Sequence, residues 1–460
     1  MILPPLSRLR ISRGRLFIVA AVLHVAVVLS IYSVSRLELF PGTFDANGIG
    51  VSFAIDSRSY RIEASEMAKL LHQLRFRDWL SYNSQFHVKL YSLSFALLGP
   101  IIGFNILSAE PLNLIYYLSI LTLVYAIGRQ AFDSRVGLIA AGIVAVFPSL
   151  FLHTTQMLRD PLFVAALLLL VLVLLAGVTS IFSWPRAVLI AATGAATSVI
   201  LWRARGDMWE LTFSVVLIGF AVTLGRQIKR RQLLQWNTLF AMLLLFSVFL
   251  IPRIVPTYRQ SDRSLVIAPG ARGTTTTITP PATLAKQTPS APWSQLATRL
   301  GLLRHKFIIS YPLAGSNMDV GVELKTLSDV IRYLPRAMLI GFFSPFPNMW
   351  FVRGEQVGLV GRLVSGAETS IMCAIIALAF VSLVLNRHRL AVWLIFLIAT
   401  LGCTALGYVV VNISALYRMR YSFWILFIVL AASTIQSLWQ SKAMTVVGAM
   451  KRTEKRQSVV

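Results

Sequence analysis

The chain has 460 residues, of which 56% are hydrophobic and only 13% charged, and its mean hydropathy is +0.72. A soluble domain carries about 25% charged residues, so water is excluded as the sole solvent and an integral membrane protein is indicated. The net charge of +25 does not signal a nucleic-acid partner, because Lys and Arg sit in short clusters between apolar runs, the arrangement that sets membrane orientation.

The first run, Leu16–Leu39, follows Arg8, Arg10, Arg13 and Arg15 and is not followed by a small-residue cleavage site. It reads as a retained helix with its N-terminal end in the cytoplasm. Further apolar runs start near residues 88, 112, 136, 161, 186, 209, 238, 337, 369 and 390, and a last one follows Tyr421. A helix needs about 20 such residues to cross roughly 30 Å of hydrocarbon. The clusters Arg226/Lys229/Arg230/Arg231, Arg387/Arg389 and Lys442/Lys451/Arg452/Lys455/Arg456 should all be cytoplasmic, so an even number of crossings must separate each from the next. That parity requires two runs not to cross. Val88–Ala109 carries Lys89 near its start and Gly99-Pro100 in its middle, and Ala337–Val352 breaks at Pro345 and Pro347. Both are expected to be re-entrant or interfacial, since irregular backbone at membrane depth needs protein or a wet cavity around it.

The predicted fold class is therefore all-α: a polytopic transmembrane helical bundle of about ten crossings plus two re-entrant or interfacial segments. It would sit in the cell (inner) membrane as a multi-pass protein with both termini cytoplasmic. The chain divides into a transmembrane module over 1–252 with a first outer loop at 41–111, a large extracytoplasmic loop over 253–368, and C-terminal helices with a basic tail over 369–460. Only Asp133 and Glu454 of the 18 acids fall on the cytoplasmic side, which puts the ligand-facing surface outside. In the first loop Asp56–Leu80 reads as one amphipathic helix with Ile62, Met67, Leu70, Leu71 and Leu74 on its apolar face, lying on the membrane surface. The stretch 270–292, rich in Thr and Pro, has a flexible-linker composition. Cys373 and Cys403 lie inside apolar runs and read as packing residues.

Four polar clusters converge on the outer face in this topology: Asp56-Ser-Arg-Ser-Tyr60, Arg159-Asp160, Arg203-Ala-Arg205-Gly-Asp207, and Tyr417-Arg-Met-Arg420-Tyr421. Ionisable residues at the edge of apolar helices carry a free-energy penalty unless paired or functional. Two carboxylates facing several arginines can supply a general base and an anion site together. Plainer readings stand beside this one. Asp160 before Pro161 suits a helix N-terminus, Asp56 suits the start of the amphipathic helix, and Arg418 and Arg420 suit headgroup anchoring. His72, His87 and His153 match no metal-ligand spacing.

The order of these segments resembles the GT-C superfamily of membrane glycosyltransferases, close in style to protein O-mannosyltransferases and lipid A aminoarabinose transferases. The likeness lies in the early acid followed by Tyr (Asp56 to Tyr60), the Leu-Gly turn of Tyr91–Gly99, and Tyr125-Ala-Ile-Gly-Arg-Gln-Ala-Phe132. It continues in the Ala-rich Val136–Pro148, in Leu158-Arg-Asp160, and in Tyr417-Arg-Met-Arg-Tyr421. It covers residues 1–210 and, more weakly, the C-terminal quarter. The resemblance implies a GT-C-like fold and transfer, with inversion, of a sugar from a polyprenyl-phosphate donor to a lipid, glycan or protein acceptor. It implies catalytic roles for Asp56 (base) and Asp160, donor-phosphate contacts from Arg205, Arg418 and Arg420, and an acceptor pocket with Arg159 and Tyr60. Membrane lipids are the other expected partners. No cofactor is firmly implied and no metal ligand is assigned, though the pocket of Asp160 leaves room for a divalent cation. Two alternatives remain open. An envelope polysaccharide polymerase or ligase would use Arg304-His305-Lys306, and a secondary transporter would show inverted repeats, which are not evident.

Overall fold

The computed structural model describes residues 13–41, 43–45, 48, 50–54, 56–232, 235–256, 292–310, 315–354 and 358–457. The expected flexible stretch 270–292 lies outside them up to Ala291. Helix α1 (Arg13–Arg36) leads to a small antiparallel ribbon of β1 (Phe44–Asp45) and β2 (Gly50–Val51). Three helices fill the first loop: α2 (Asp56–His72), α3 (Phe76–Ser81) and α4 (Phe86–Ile102). Then come α5 (Ile106–Ala131), α6 (Ser134–Ala145), α7 (Pro148–Thr154), α8 (Asp160–Thr179), α9 (Trp184–Ala204), a 3₁₀ turn at Gly206–Met208, α10 (Trp209–Lys229) and α11 (Trp236–Ile254). After the second loop run α12 (Pro292–Ser310), α13 (Leu327–Phe343), α14 (Pro347–Trp350), α15 (Gly358–Leu385), α16 (Leu390–Val409), α17 (Ile413–Met419) and α18 (Tyr421–Gln457).

Sequence explains which helices are central. Helix α8 is apolar on every face from Pro161 to Val178 and is buried along most of its length, as expected of a helix surrounded by protein. The stretch Phe423–Ala432 of α18 is likewise wholly buried. These two, with α5, α6 and α16, form the interior of the bundle. Between α13 and α16 the backbones nearly touch: a Cβ at Gly341 would strike the carbonyl of Cys403, and one at Gly407 the carbonyl of Ala337. Small residues permit such approach where lipid offers no hydrophobic drive.

Among the described residues nine helices are long and apolar enough to cross a membrane, or ten if α6 and α7 form one span bent by 73°. The bend falls at Pro148, which cannot donate to the carbonyl of the preceding turn and clashes with it. The connectivity decides the count. The far end of α5 meets the far end of α8 through Gln130 and Thr179, 2.9 Å, whereas Asp160 opens α8 at the opposite end. Between them the chain must return through α6 and α7, so the bent pair is one passage and the described residues make ten.

The basic clusters gather at one end. Arg13 lies 4.8 Å from the Tyr125 ring, Arg226 donates to the carbonyls of Gly177 and Ser180, and Arg389 donates to that of Ala131. Gln436 joins them by donating to Asp133. The first-loop helices and the four polar clusters lie at the other end.

Several segment limits differ from those read in the sequence. Asp56–Leu80 is two helices, because the chain turns between His72 and Phe76 with Leu74 at φ 56°. The buried face of α2 is Ser57, Tyr60, Ala64, Met67 and Ala68; its alanines let it lie close on α4, while Ile62 and Leu74 stay exposed. Gly99-Pro100 does not break α4, since Pro100 falls in its last turn. Helix α5 begins at Ile106 and α15 at Gly358, so Glu110 and Glu368 belong to membrane-length helices and not to the outer loops. The segment expected at Ala337–Val352 starts earlier, as α13, and ends before Ser344-Pro345.

The ten-passage count places Ser81 and Arg231 on opposite membrane faces. In a background lacking Cys373 and Cys403, single cysteines at these two exposed positions should react with an impermeant maleimide from opposite sides. Reaction of both from one side would overturn the count.

Candidate functional site

Four separate stretches of chain deliver charge to one point at the end of the bundle opposite the basic clusters. Asp56 is the first residue of α2, Asp160 the first of α8, Arg205 follows α9, and Arg418 lies on α17. Arg418 Nη1 is 3.4 Å from Asp56 Oδ2 and 3.9 Å from Asp160 Oδ2. Arg205 Nη2 donates to Asp160 Oδ1 from the other side. The result is a ladder of alternating sign: Asp56, Arg418, Asp160, Arg205.

Exposure grades along it. The side chain of Asp56 is 37% exposed and that of Arg418 19%, against 7% for Asp160 and 4% for Arg205. The rim of the site is thus a carboxylate in reach of solvent, and its floor is a buried ion pair. Both acids stand in the first turn of their helices, where a carboxylate complements the dipole. Each also meets a guanidinium, Asp160 that of Arg205 and Asp56 that of Arg418.

The surroundings hold this ladder in register. The segment between α7 and α8 is pinned by Gln156, whose Oε1 accepts from Val51 N–H at 3.1 Å. It is pinned again by the Tyr91 hydroxyl, 2.7 Å from Asn113 Oδ1 and 3.4 Å from the Leu158 carbonyl. Arg58 pairs with Asp45 through Nε, 2.6 Å from Oδ2, which fixes the ribbon to α2. Tyr60 packs edge-on to His87, ring centroids 4.5 Å apart. Burial pushes the Tyr60 hydroxyl up to about 12 despite the opposing charge of Arg159, so it remains a donor. Burial, aided by Arg159, holds His87 neutral, its pKa drawn down to about 3. Arg159 itself lies in the field of Tyr60, Asp207, Asp160 and Asp56, and its Nε has no hydrogen-bond partner.

Of the seven site residues expected from sequence, the structure gathers Asp56, Tyr60, Arg159, Asp160, Arg205 and Arg418. Arg420 stands apart. It is fully buried, its guanidinium donates to the carbonyl and hydroxyl of Ser344 and to the carbonyl of Gly341, and it stacks 3.8 Å from the Trp424 ring. Its ring neighbours at i−3 and i+4, Tyr417 and Trp424, hold it inside the bundle, where it secures the end of α13. Arg304 is also buried. It donates to the carbonyls of Tyr408, 2.8 Å, and Asp319, 2.7 Å, and faces the Tyr333 ring, so the alternative centred on Arg304-His305-Lys306 loses its arginine to a structural role.

Three buried residues escaped the sequence reading. His24, in α1, bonds to Glu110 at 2.8 Å and to Thr154 at 3.2 Å. Glu368, in α15, accepts from Ser149 N–H at 2.5 Å and from the Tyr417 hydroxyl. An acid or imidazole inside an apolar run is a signal in itself, but the run limits read from the sequence leave Glu110 and Glu368 at the ends of the loops 41–111 and 253–368. Among the described residues no three His, Cys, Asp or Glu side chains gather as metal ligands would. The donor set at the ladder does not fit a divalent cation either: each carboxylate faces at least one guanidinium, and Arg418 occupies the space between them.

No protein-family model matches the chain, and no curated protein matches it in sequence. Two solved structures are similar. One is the crystal structure of the Archaeoglobus fulgidus oligosaccharyltransferase in the apo form, with TM-score 0.46 and 12% identity, covering 94% of this chain and 52% of that one. The other is the archaeal oligosaccharyltransferase AglB from Archaeoglobus fulgidus in complex with an inhibitory peptide and a dolichol-phosphate, with TM-score 0.45, 12% identity and coverage of 96% and 52%. The chain spans about half the length of those proteins.

The two carboxylates should respond differently to neutralisation. Breaking a buried pair by removing one partner costs about 3–5 kcal/mol, whereas a partly exposed pair contributes roughly 0–1 kcal/mol. Asp160→Asn should therefore lower the thermal midpoint of the detergent-purified protein markedly, and Asp56→Asn should leave it nearly unchanged. Equal shifts would contradict the graded exposure.

Proposed function

We propose that this protein is a GT-C-type membrane glycosyltransferase that transfers a sugar from a polyprenyl-phosphate donor to an acceptor hydroxyl on the extracytoplasmic face. The observation that carries the reading is the solvent-reaching carboxylate of Asp56 held 3.4 Å from an arginine, at the bundle end remote from the basic clusters. By the positive-inside rule that end is extracytoplasmic. The family resemblance of residues 56–160 and 417–421 supports the same reaction.

In this reading Asp56 takes the proton of the acceptor hydroxyl as its oxygen attacks the anomeric carbon. The bond from that carbon to the phosphate oxygen breaks, and the electron pair leaves with the polyprenyl phosphate. The configuration inverts because attack and departure are on opposite faces. The departing phosphate gains negative charge, which Arg418 stabilises with a planar fork suited to phosphate. Arg205 neutralises Asp160, so the floor of the site carries no net negative charge to repel the phosphate. Tyr60 and Arg159 border the acceptor. Arg420 lies outside this scheme and supports it by holding Ser344.

Asp56→Asn, nearly equal in size, should abolish transfer while expression and membrane insertion survive; cells carrying it should accumulate a lipid-linked sugar identifiable by mass spectrometry. Asn is as good an N-cap as Asp, so full activity of this variant would show that Asp56 only starts a helix. Arg418→Gln should slow turnover by about 10²-fold, the usual effect of losing one transition-state donor, with Arg418→Lys recovering part of it. Wild-type rates in Arg418→Gln would reduce Arg418 to a headgroup anchor.

A further inference from the structure

Glu368 lies well inside the 28-residue α15 and is 2% exposed. An acid so placed carries a free-energy penalty unless both oxygens are satisfied, and here both are. One accepts the backbone N–H of Ser149, the second residue of α7, at 2.5 Å. The other accepts the hydroxyl of Tyr417 on α17, which also lies 3.5 Å from Ser149 Oγ. A single side chain thus joins three elements that are far apart in sequence.

Two of those elements feed the ladder directly. Helix α7 runs through Thr155–Leu158 into Arg159 and Asp160, and α17 carries Arg418 next to Tyr417. Both helices have seven residues, far below the roughly 12–15 at which an isolated helix is even marginal. Their positions must be imposed by tertiary contacts. The ring of Tyr417 is fixed further against Tyr421 and Trp424, centroids 5.5 and 5.8 Å apart. A shift of Tyr417 carries Arg418 with it, and Arg418 must stay between two carboxylates contributed by other helices.

We propose that Glu368 is a positioning residue that sets the separation of Arg418 from Asp160 by tying α17 and α7 to α15. This rests on the reading of Arg418 as the phosphate contact. Glu368 touches neither donor nor acceptor, and its effect on ligand passes through Arg418.

The test uses the full chain in lipid nanodiscs with a polyprenyl monophosphate as probe. Glu368→Gln keeps the side chain's size but replaces one acceptor oxygen by a donor. Tyr417→Phe removes the hydroxyl alone and serves if the first variant folds poorly. Each should weaken binding of the probe about tenfold and speed amide exchange across α17 and residues 155–159, with α9 and α10 unaffected. In an Arg418→Gln background neither should weaken binding further. Wild-type binding and exchange in both variants would overturn the proposal, as would losses that multiply with that of Arg418→Gln, which would mean general destabilisation. Failure of the wild-type chain to bind the probe would count against the proposed function, and the exchange measurement would still decide whether Glu368 holds α17.

Discussion

Arg418 stands between two carboxylates, and much of the bundle end opposite the basic clusters serves to keep it there. A guanidinium shared by Asp56 and Asp160 can persist only if three short or irregular segments hold still: the start of α2, the stretch between α7 and α8, and α17. None of these is anchored by its own length. The stretch before α8 is secured by Gln156 on the ribbon and by Tyr91 at the Leu158 carbonyl, α17 by Glu368 through Tyr417, and the start of α2 by Arg58 on Asp45 of the ribbon. In a medium without water such groups have few competing partners, so a satisfied network is rigid and a broken one is severely penalised. The interior acids and the ladder are therefore one system, with the interior acids setting where the exposed charges lie.

The bend at Pro148 belongs to the same system. A straight α6–α7 span would run on in one line, whereas the 73° turn lays α7 across the bundle end. It presents the Ser149 N–H to Glu368 and, at the far end of α7, Thr154 to His24. The free N–H groups of a new helix start need acceptors, and Glu368 supplies one. A proline that interrupts a membrane span is tolerated because neighbouring side chains take up the groups it frees.

What the sequence disclosed follows from how local each cause is. Apolar runs and basic clusters are read residue by residue, so the ten passages and the gathering of Arg13, Arg226 and Arg389 at one end were legible. The meeting of Asp56, Asp160, Arg205 and Arg418 was legible because topology alone brings loop ends on one face together. Helix limits were less so: Leu74 in a left-handed conformation ends α2 without a Gly or Pro to announce it. The buried face of α2 was misjudged because Ala64 and Ala68 matter for closeness of approach, which hydropathy does not record. Arg420 was grouped with Arg418 by adjacency, yet two residues along a helix are about 200° apart, enough to send one to the rim and the other to Ser344. Glu368 and His24 were hidden because their partners lie in helices that no spacing rule connects to them.

The graded exposure of the ladder also bears on which acid can work as a base. A base that takes a proton in each turnover must release it before the next, which requires water or an open path. Asp56, at 37% exposure, has one. Asp160, at 7% and bonded to Arg205, does not, and protonating it would leave Arg205 buried and uncompensated, an outcome the surrounding low dielectric opposes. A departing phosphate has the opposite need, since a guanidinium stabilises developing charge best where water is excluded. Arg418 is intermediate in exposure, between the wet carboxylate and the dry pair, so in the proposed reaction it would face the donor and leave Asp56 to the acceptor. That division needs no movement of the bundle, only that α17 be held where Tyr417 and Glu368 put it.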